Sequence, residues 1–356
     1  MKHINPTWKY FATVIILILL AIVSTGWILS SARSQSRSRT VSNSNVAVRS
    51  ATENSPNEVV KVDVDLVTVD ALVMQKQTAR TVGGLKKDDF TLFEVGVKQE
   101  ITHFGQDSLP LSVLLLIDRG GCLDPFGSEV HHAALDAISR LKPVDEIAVM
   151  TYHDTTRLLQ GFTRDRTLIS EALDRVPKHD EEADHCLNKV FFEAARYMTT
   201  AGNPVGRRVI IAITGVTRNF DCPNAPTGKA AAQAVYESGS VVCGIIPKSG
   251  DQKLENGIMV WATRMGKLGG AASMDIQNLA NETGGEILQD KPENLRSTFN
   301  MLIEHLRTRY NLAFVSSNKK RDGTMRKLKI DVAEPTQKSQ GKLVVRARRS
   351  YVAPRS

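Results

Sequence analysis

At 356 residues, 42% of them hydrophobic and 24% charged, the chain has the composition of a globular protein with a sizeable core, which excludes a wholly disordered or collagen-like one. The formal charge of +8 is spread out, with local density only near Arg33–Arg39, Lys319–Lys329 and Arg346–Arg349. No basic stripe is interleaved with aromatic residues, so nucleic acid is not an expected partner.

Residues Phe11–Leu29 (FATVIILILLAIVSTGWIL) are uncharged and about as long as a bilayer core requires, with Lys2 and Lys9 before them and Arg33, Arg37 and Arg39 after. Residues 1–32 therefore read as a signal peptide or a transmembrane anchor. Ser30 and Ala32 offer a small-x-small cleavage site, while the length of the apolar run favours the anchor. In both cases the rest is expected outside the cytoplasm, membrane-anchored or, after cleavage, secreted or periplasmic. Residues 33–57 are rich in Ser, Arg and Asn and lack large apolar groups to offset the entropy of ordering, so they read as a disordered linker.

From Val59 the run VVKVDVDLVTVDALV alternates at period two, as a half-buried strand does. GLKKDDFTLFEVGVKQEITHF (84–104) reads as a turn, a short strand through Phe90, Leu92 and Val95, a turn at Gly96 and a further strand, so residues 58–108 form half of a small antiparallel β unit. The grammar changes at Leu109-Pro110. LSVLLLID (111–118), EIAVMTY (146–152), RRVIIAIT (207–214) and SVVCGIIP (240–247) are continuous apolar runs, each followed by a helical stretch. Helices are expected over 128–141, with Val130, Ala134, Ala137 and Leu141 on one face; through Leu168, Ala172 and Val176; near 187–199; and near 228–238. A last round places EIL (286–288) before a helix with Leu295, Phe299, Leu302 and Leu306 in one stripe. Strands buried on both faces and alternating with helices predict an α/β domain over 109–308, a doubly wound, Rossmann-like and mainly parallel sheet. YNLAFVSS, MRKLKIDV and KLVVRARRSYV return to alternation, so residues 309–356 are expected to complete a β-sandwich into which the α/β domain is inserted. Residues 248–270 are Gly-rich without periodicity and read as a mobile loop.

The order and spacing of GLKKDDFTLFE, LSVLLLIDRG, RRVIIAITG, LANETGGEIL, YNLAFVSSNKKRDGTMRKLKIDV and VVRARRSYVAP resemble the von Willebrand factor A (VWFA) family, more narrowly its acidobacterial secreted relatives, over most of the chain past Val59. The resemblance implies a metal-ion-dependent adhesion site at the carboxyl ends of the strands: an Asp-x-Ser-x-Ser loop, a threonine from a second loop and an aspartate after the central strand. Magnesium wants such oxygen donors. Here Asp118 matches the first aspartate, but Gly120 and Cys122 stand at the serine positions. The threonine position falls at His185 or Cys186, and Thr214-Gly215-Val216 replaces Thr-Asp-Gly. The expected site is thus degenerate, with Asp118 the lone carboxylate and no metal expected.

Three of the four cysteines, Cys122, Cys186 and Cys222, lie on the rim loops, and in an oxidising compartment two of them are expected to pair, the pair being open; Cys243 sits within an apolar strand as a buried small hydrophobe. An alternative is zinc held by Cys122, Cys222, Cys186 or His185, and Asp118 or His179, in a zinc- or thiol-dependent enzyme, but no C-x₂-C pair is present. HDEEADH (179–185) reads as a solvated acidic turn, His131 and His132 as partly exposed, and Met259, Trp261 and Met265 as tucked against the body. The Asn281 sequon falls inside SMDIQNLANETGG, the stretch before EIL that reads as a helix. No nucleophile elbow, zinc-protease, P-loop or dinucleotide motif occurs. The expectation is a non-enzymatic, adhesion-type module that meets a protein or cell-envelope partner at its rim loops, with no small-molecule substrate; a purely structural envelope protein is the further alternative.

Overall fold

The computed structural model describes residues 66–106, 109–120, 123, 126–177, 185–203, 206–216, 218–219, 222, 224–248 and 274–355, all within one compact unit. The N-terminal segment and linker, Cys122, His179 and the loop bearing Met259, Trp261 and Met265 lie outside these residues. Among the described residues no helix is long and apolar enough to cross a membrane.

The chain runs β1 (Leu66–Gln75), β2 (Phe90–Glu94), β3 (Val97–Gln99), β4 (Ile101–Gly105), β5 (Leu111–Asp118), α1 (Gly127–Ser139), β6 (Glu146–Tyr152), β7 (Thr156–Thr163), α2 (Arg166–Asp174), α3 (Leu187–Met198), β8 (Arg207–Ile213), β9 (Arg218–Asn219) and α4 (Gly228–Ser238). It continues with β10 (Val241–Pro247), β11 (Met274–Asp275), α5 (Ile276–Thr283), β12 (Ile287–Asp290), α6 (Leu295–Arg307), β13 (Tyr310–Val315), β14 (Met325–Val332), α7 (Glu334–Gln340), β15 (Leu343–Ala347) and β16 (Ser350–Val352).

The central sheet has the order β12-β10-β8-β5-β6-β7. All its pairings are parallel except that of the edge strand β7. Every residue of β5, β6, β8 and β10 is buried, which is why these strands read as unbroken apolar runs. Alternate residues of β5 face opposite layers. Val113, Leu115 and Ile117 pack with α1, α2 and α6, whereas Leu114 and Leu116 pack with α3, α4 and α5. Helices thus cover both faces, as the α/β reading requires.

Two four-stranded antiparallel sheets, β15-β1-β13-β4 and β16-β14-β2-β3, share a third apolar cluster around Leu92, Tyr310, Leu312 and Phe314. Their strands come from both sides of the α/β region in the chain. A bidentate ion pair, Asp70 on β1 with Arg207 on β8 (2.8 and 2.9 Å), joins this part to the central sheet.

Four sequence expectations require correction. The run after β6 forms the antiparallel strand β7 before any helix. TRLLQGFT has neither an apolar run nor clean alternation, because it is an edge strand with irregular register against β6. On α2 the buried stripe is Ile169, Ala172 and Leu173, with Leu168 outward and Val176 beyond the helix end. Val95 is not part of a strand: it is exposed, with φ of 48°, in the tight turn that it forms with Gly96. The tail also contains α7, which buries no residue and so carries no periodic signal.

Candidate functional site

In a doubly wound sheet the ligand-binding crevice lies where successive crossovers change direction. Here the chain moves from β5 outward through β6 to β7, then returns to β8 on the other side of β5 and continues to β10 and β12. The reversal falls between β5 and β8, at whose carboxyl ends stand Asp118 and Thr214. Ile117 and Ile213 are in register, which sets the next residues side by side.

Asp118 has a wholly buried side chain. Its Oδ1 accepts from the backbone N–H of Gly120 at 2.9 Å, and His185 Nε2 lies 3.0 Å from the same oxygen. Because a carboxylate only accepts, the imidazole proton that makes this bond sits on Nε2. The Thr214 hydroxyl, itself buried, donates to Asp118 Oδ2 at 2.7 Å and accepts from Val216 N–H at 3.0 Å. Gly215 is buried beside it.

Gly120 explains how the ring gets there. A β-carbon at this position would lie 2.2 Å from His185 Nε2, so the imidazole occupies the volume that a serine side chain would take. His185 is held from behind. Cys186, which follows it, caps α3, donates its backbone N–H to His153 O at 3.2 Å, and is disulfide-bonded to Cys222, with Cα atoms 5.9 Å apart. Of the three rim cysteines, therefore, Cys186 and Cys222 form the bridge, so two of the three thiols in the cluster on which the zinc or thiol-enzyme alternative draws are not free in this oxidation state.

The structure thus brings together Asp118, Gly120, His185 and Thr214, with Cys186 and Cys222 behind them. His131 is elsewhere engaged, 2.9 Å from Asp174 Oδ1 on α2, and His132 is exposed. Among the described residues no group of three or more His, Cys, Asp and Glu side chains is placed to hold a metal ion. Sequence reasoning missed Asn188. This buried residue donates Nδ2–H to Pro226 O at 2.6 Å and sets its Oδ1 3.5 and 3.4 Å from the two bridge sulfurs, so it ties α3 to the loop before α4. The signal was an amide next to Leu187 and ahead of Val190 and Phe191, the apolar residues that α3 buries at its start.

Chemically the arrangement centres on the acid. Both the hydroxyl and the imidazole address Asp118, so Thr214 gives its proton to the carboxylate and not to the histidine. A hydroxyl activated for nucleophilic attack has the opposite wiring, with the imidazole as its acceptor.

No family model matches the sequence, and no curated protein does. Among solved structures the chain is similar to an aerotolerance-related membrane protein from Bacteroides fragilis, at 14% identity and a TM-score of 0.38, over 55% of this chain and 98% of that one. It is also similar to the von Willebrand factor domain of a type V pilus tip protein from Porphyromonas gingivalis (12%, TM-score 0.38, 56% and 96%). A third similarity is to a von Willebrand factor type A protein from Catenulispora acidiphila (13%, TM-score 0.38, 81% and 74%). All three likenesses are distant.

Proposed function

We propose that this chain is a non-enzymatic binding module working outside the cytoplasm, in which residues 109–308 form a VWFA-like domain inserted between the two halves of a β-sandwich, residues 58–108 and 309–356. The N-terminal segment anchors it to a membrane or directs its secretion. A protein or cell-envelope partner meets the rim above β5 and β8, and the contact involves no bridging metal.

The observation that carries this reading is the closure of Asp118. Its two oxygens already hold an N–H, an imidazole and a hydroxyl, and the imidazole fills the place from which a serine would reach a cation. A hydrated Mg²⁺ would have to displace these donors, and among the described residues no group of three or more His, Cys, Asp and Glu side chains is placed to replace its waters. The Cys186–Cys222 bridge supports an oxidising compartment.

Titration calorimetry of the full-length chain in mild detergent with MgCl₂ and MnCl₂ tests the proposal. The expected outcome is no saturable binding tighter than about 1 mM, outside even the weak range of built oxygen-donor sites. Micromolar binding that disappears in Asp118→Ala would overturn it.

A further inference from the structure

Where the outer face of the β15-β1-β13-β4 sheet meets the central sheet, the chain buries more positive charge than it neutralises. Arg309, just before β13, is fully buried. Its Nη1 donates to Gly284 O at 2.8 Å, but among the described residues its Nε and Nη2 have no hydrogen-bond partner. Arg346 on β15 reaches Gly285 O at 3.3 Å through Nη1, and its Nε is likewise unmatched. Arg348 donates to Gly239 O at 3.0 Å.

The anionic groups at hand are already taken. Asp70 is bound bidentately by Arg207, and Glu286 Oε1 lies 2.8 Å from His305 Nδ1. Among the described residues, four guanidiniums therefore share two carboxylates. The other candidate for a negative charge is Cys243, a buried thiol among the electrostatic neighbours of Arg309. Burial pushes its pKa up to about 11, with nearby arginines only partly opposing, so it is a neutral thiol at pH 7.

A buried cation whose N–H groups point at nothing is among the costliest features a fold can retain. A water molecule would satisfy the hydrogen bonds but not the charge, whereas a small anion would satisfy both. We propose that the junction binds one monovalent anion of about chloride's size, held by the unmatched Nε and Nη2 of Arg309 with Arg346 contributing. Such an ion would act as a structural ligand that locks β13 and β15 against the Gly284-Gly285 turn. This site is separate from the Asp118 rim, and its test is independent of the rim's function.

Thermal unfolding of the full-length chain is to be followed at constant ionic strength while sodium gluconate is exchanged for sodium chloride. The expected result is a saturable rise in Tm of about 2–4 °C with chloride. Bromide should reproduce it, and Arg309→Gln should abolish it. Equal Tm values in chloride and gluconate, or an unchanged chloride response in R309Q, would overturn the proposal. Should R309Q fail to fold, chloride-35 NMR decides with the native chain. Line broadening relieved by bromide supports the site, and a linewidth unaffected by the protein refutes it.

Discussion

At position 120 the absence of a side chain is what allows His185 to reach Asp118. The ring sits where the β-carbon would be, 2.2 Å away at its nearest atom, and its Nε2 then lies 3.0 Å from the carboxylate. Gly120→Ser must therefore push the imidazole off the acid or shift the turn. We expect it to lower stability by about 1–3 kcal/mol, the usual cost of overfilling a packed site, measured by urea unfolding. In a His185→Ala background the same substitution should cost much less, because the two residues share one volume. An equal cost in both backgrounds would show that the ring is not what demands glycine. The buried strand that ends on Asp118 was legible in the sequence from its apolar run, whereas only the resemblance set Gly120 where a serine would stand. That His185 itself fills the gap was not legible. It depends on how a loop distant in sequence folds back onto the turn after β5, and no periodicity reports such a contact.

Elements differ in how openly they declare themselves. The strands β5, β6, β8 and β10 and the α6 stripe of Leu295, Phe299, Leu302 and Leu306 were readable because burial on both faces, or on one helical face, writes itself into residue type. By contrast, β7 and α7 lie at edges where little is buried, so packing imposed no pattern on them. The helix α3 is readable from its apolar stripe, but its anchorage is not, since the pairing of Cys186 with Cys222 cannot be derived from spacing. The bridge closes a loop with a sequence separation of 36 and ties the start of α3 to the segment after the central strand. In a chain-entropy account, a loop of this size stabilises by about 3–4 kcal/mol. Cys222→Ser, or reduction of the native chain, should cost about 2–4 kcal/mol in guanidinium unfolding, with Asn188→Ala adding less than its separate cost once the bridge is gone. Identical unfolding curves with and without reductant would rule out a stabilising bridge.

Over the whole molecule, the question is what makes the antiparallel sheets and the central sheet one cooperative unit, and the Asp70–Arg207 pair ties β1 directly to β8. Arg207 is nearly fully buried and also donates to the Leu306 carbonyl, while the Asp70 side chain is 21% exposed. Burial alone would raise the Asp70 carboxyl, but the charge and hydrogen bonds of Arg207, with Arg309 and Arg348 nearby, more than offset this and hold it below the ordinary carboxylate range. The folded chain therefore favours the ionised acid. Its contribution is complete above the unfolded-state value of about 4 and is lost as pH falls through the lower folded-state value. Asp70→Asn removes the charge but keeps the size and leaves Arg207 incompletely paired, so at pH 7 it should cost about 2–3 kcal/mol. As acid protonates the native carboxyl the two proteins become alike, and the difference in stability should shrink steadily below about pH 4. Urea unfolding of both proteins across this range, followed by circular dichroism, provides the measurement. A gap that stays constant from neutral pH to the acid limit of folding would mean that the stabilisation comes from packing at this junction and not from the charge on Asp70.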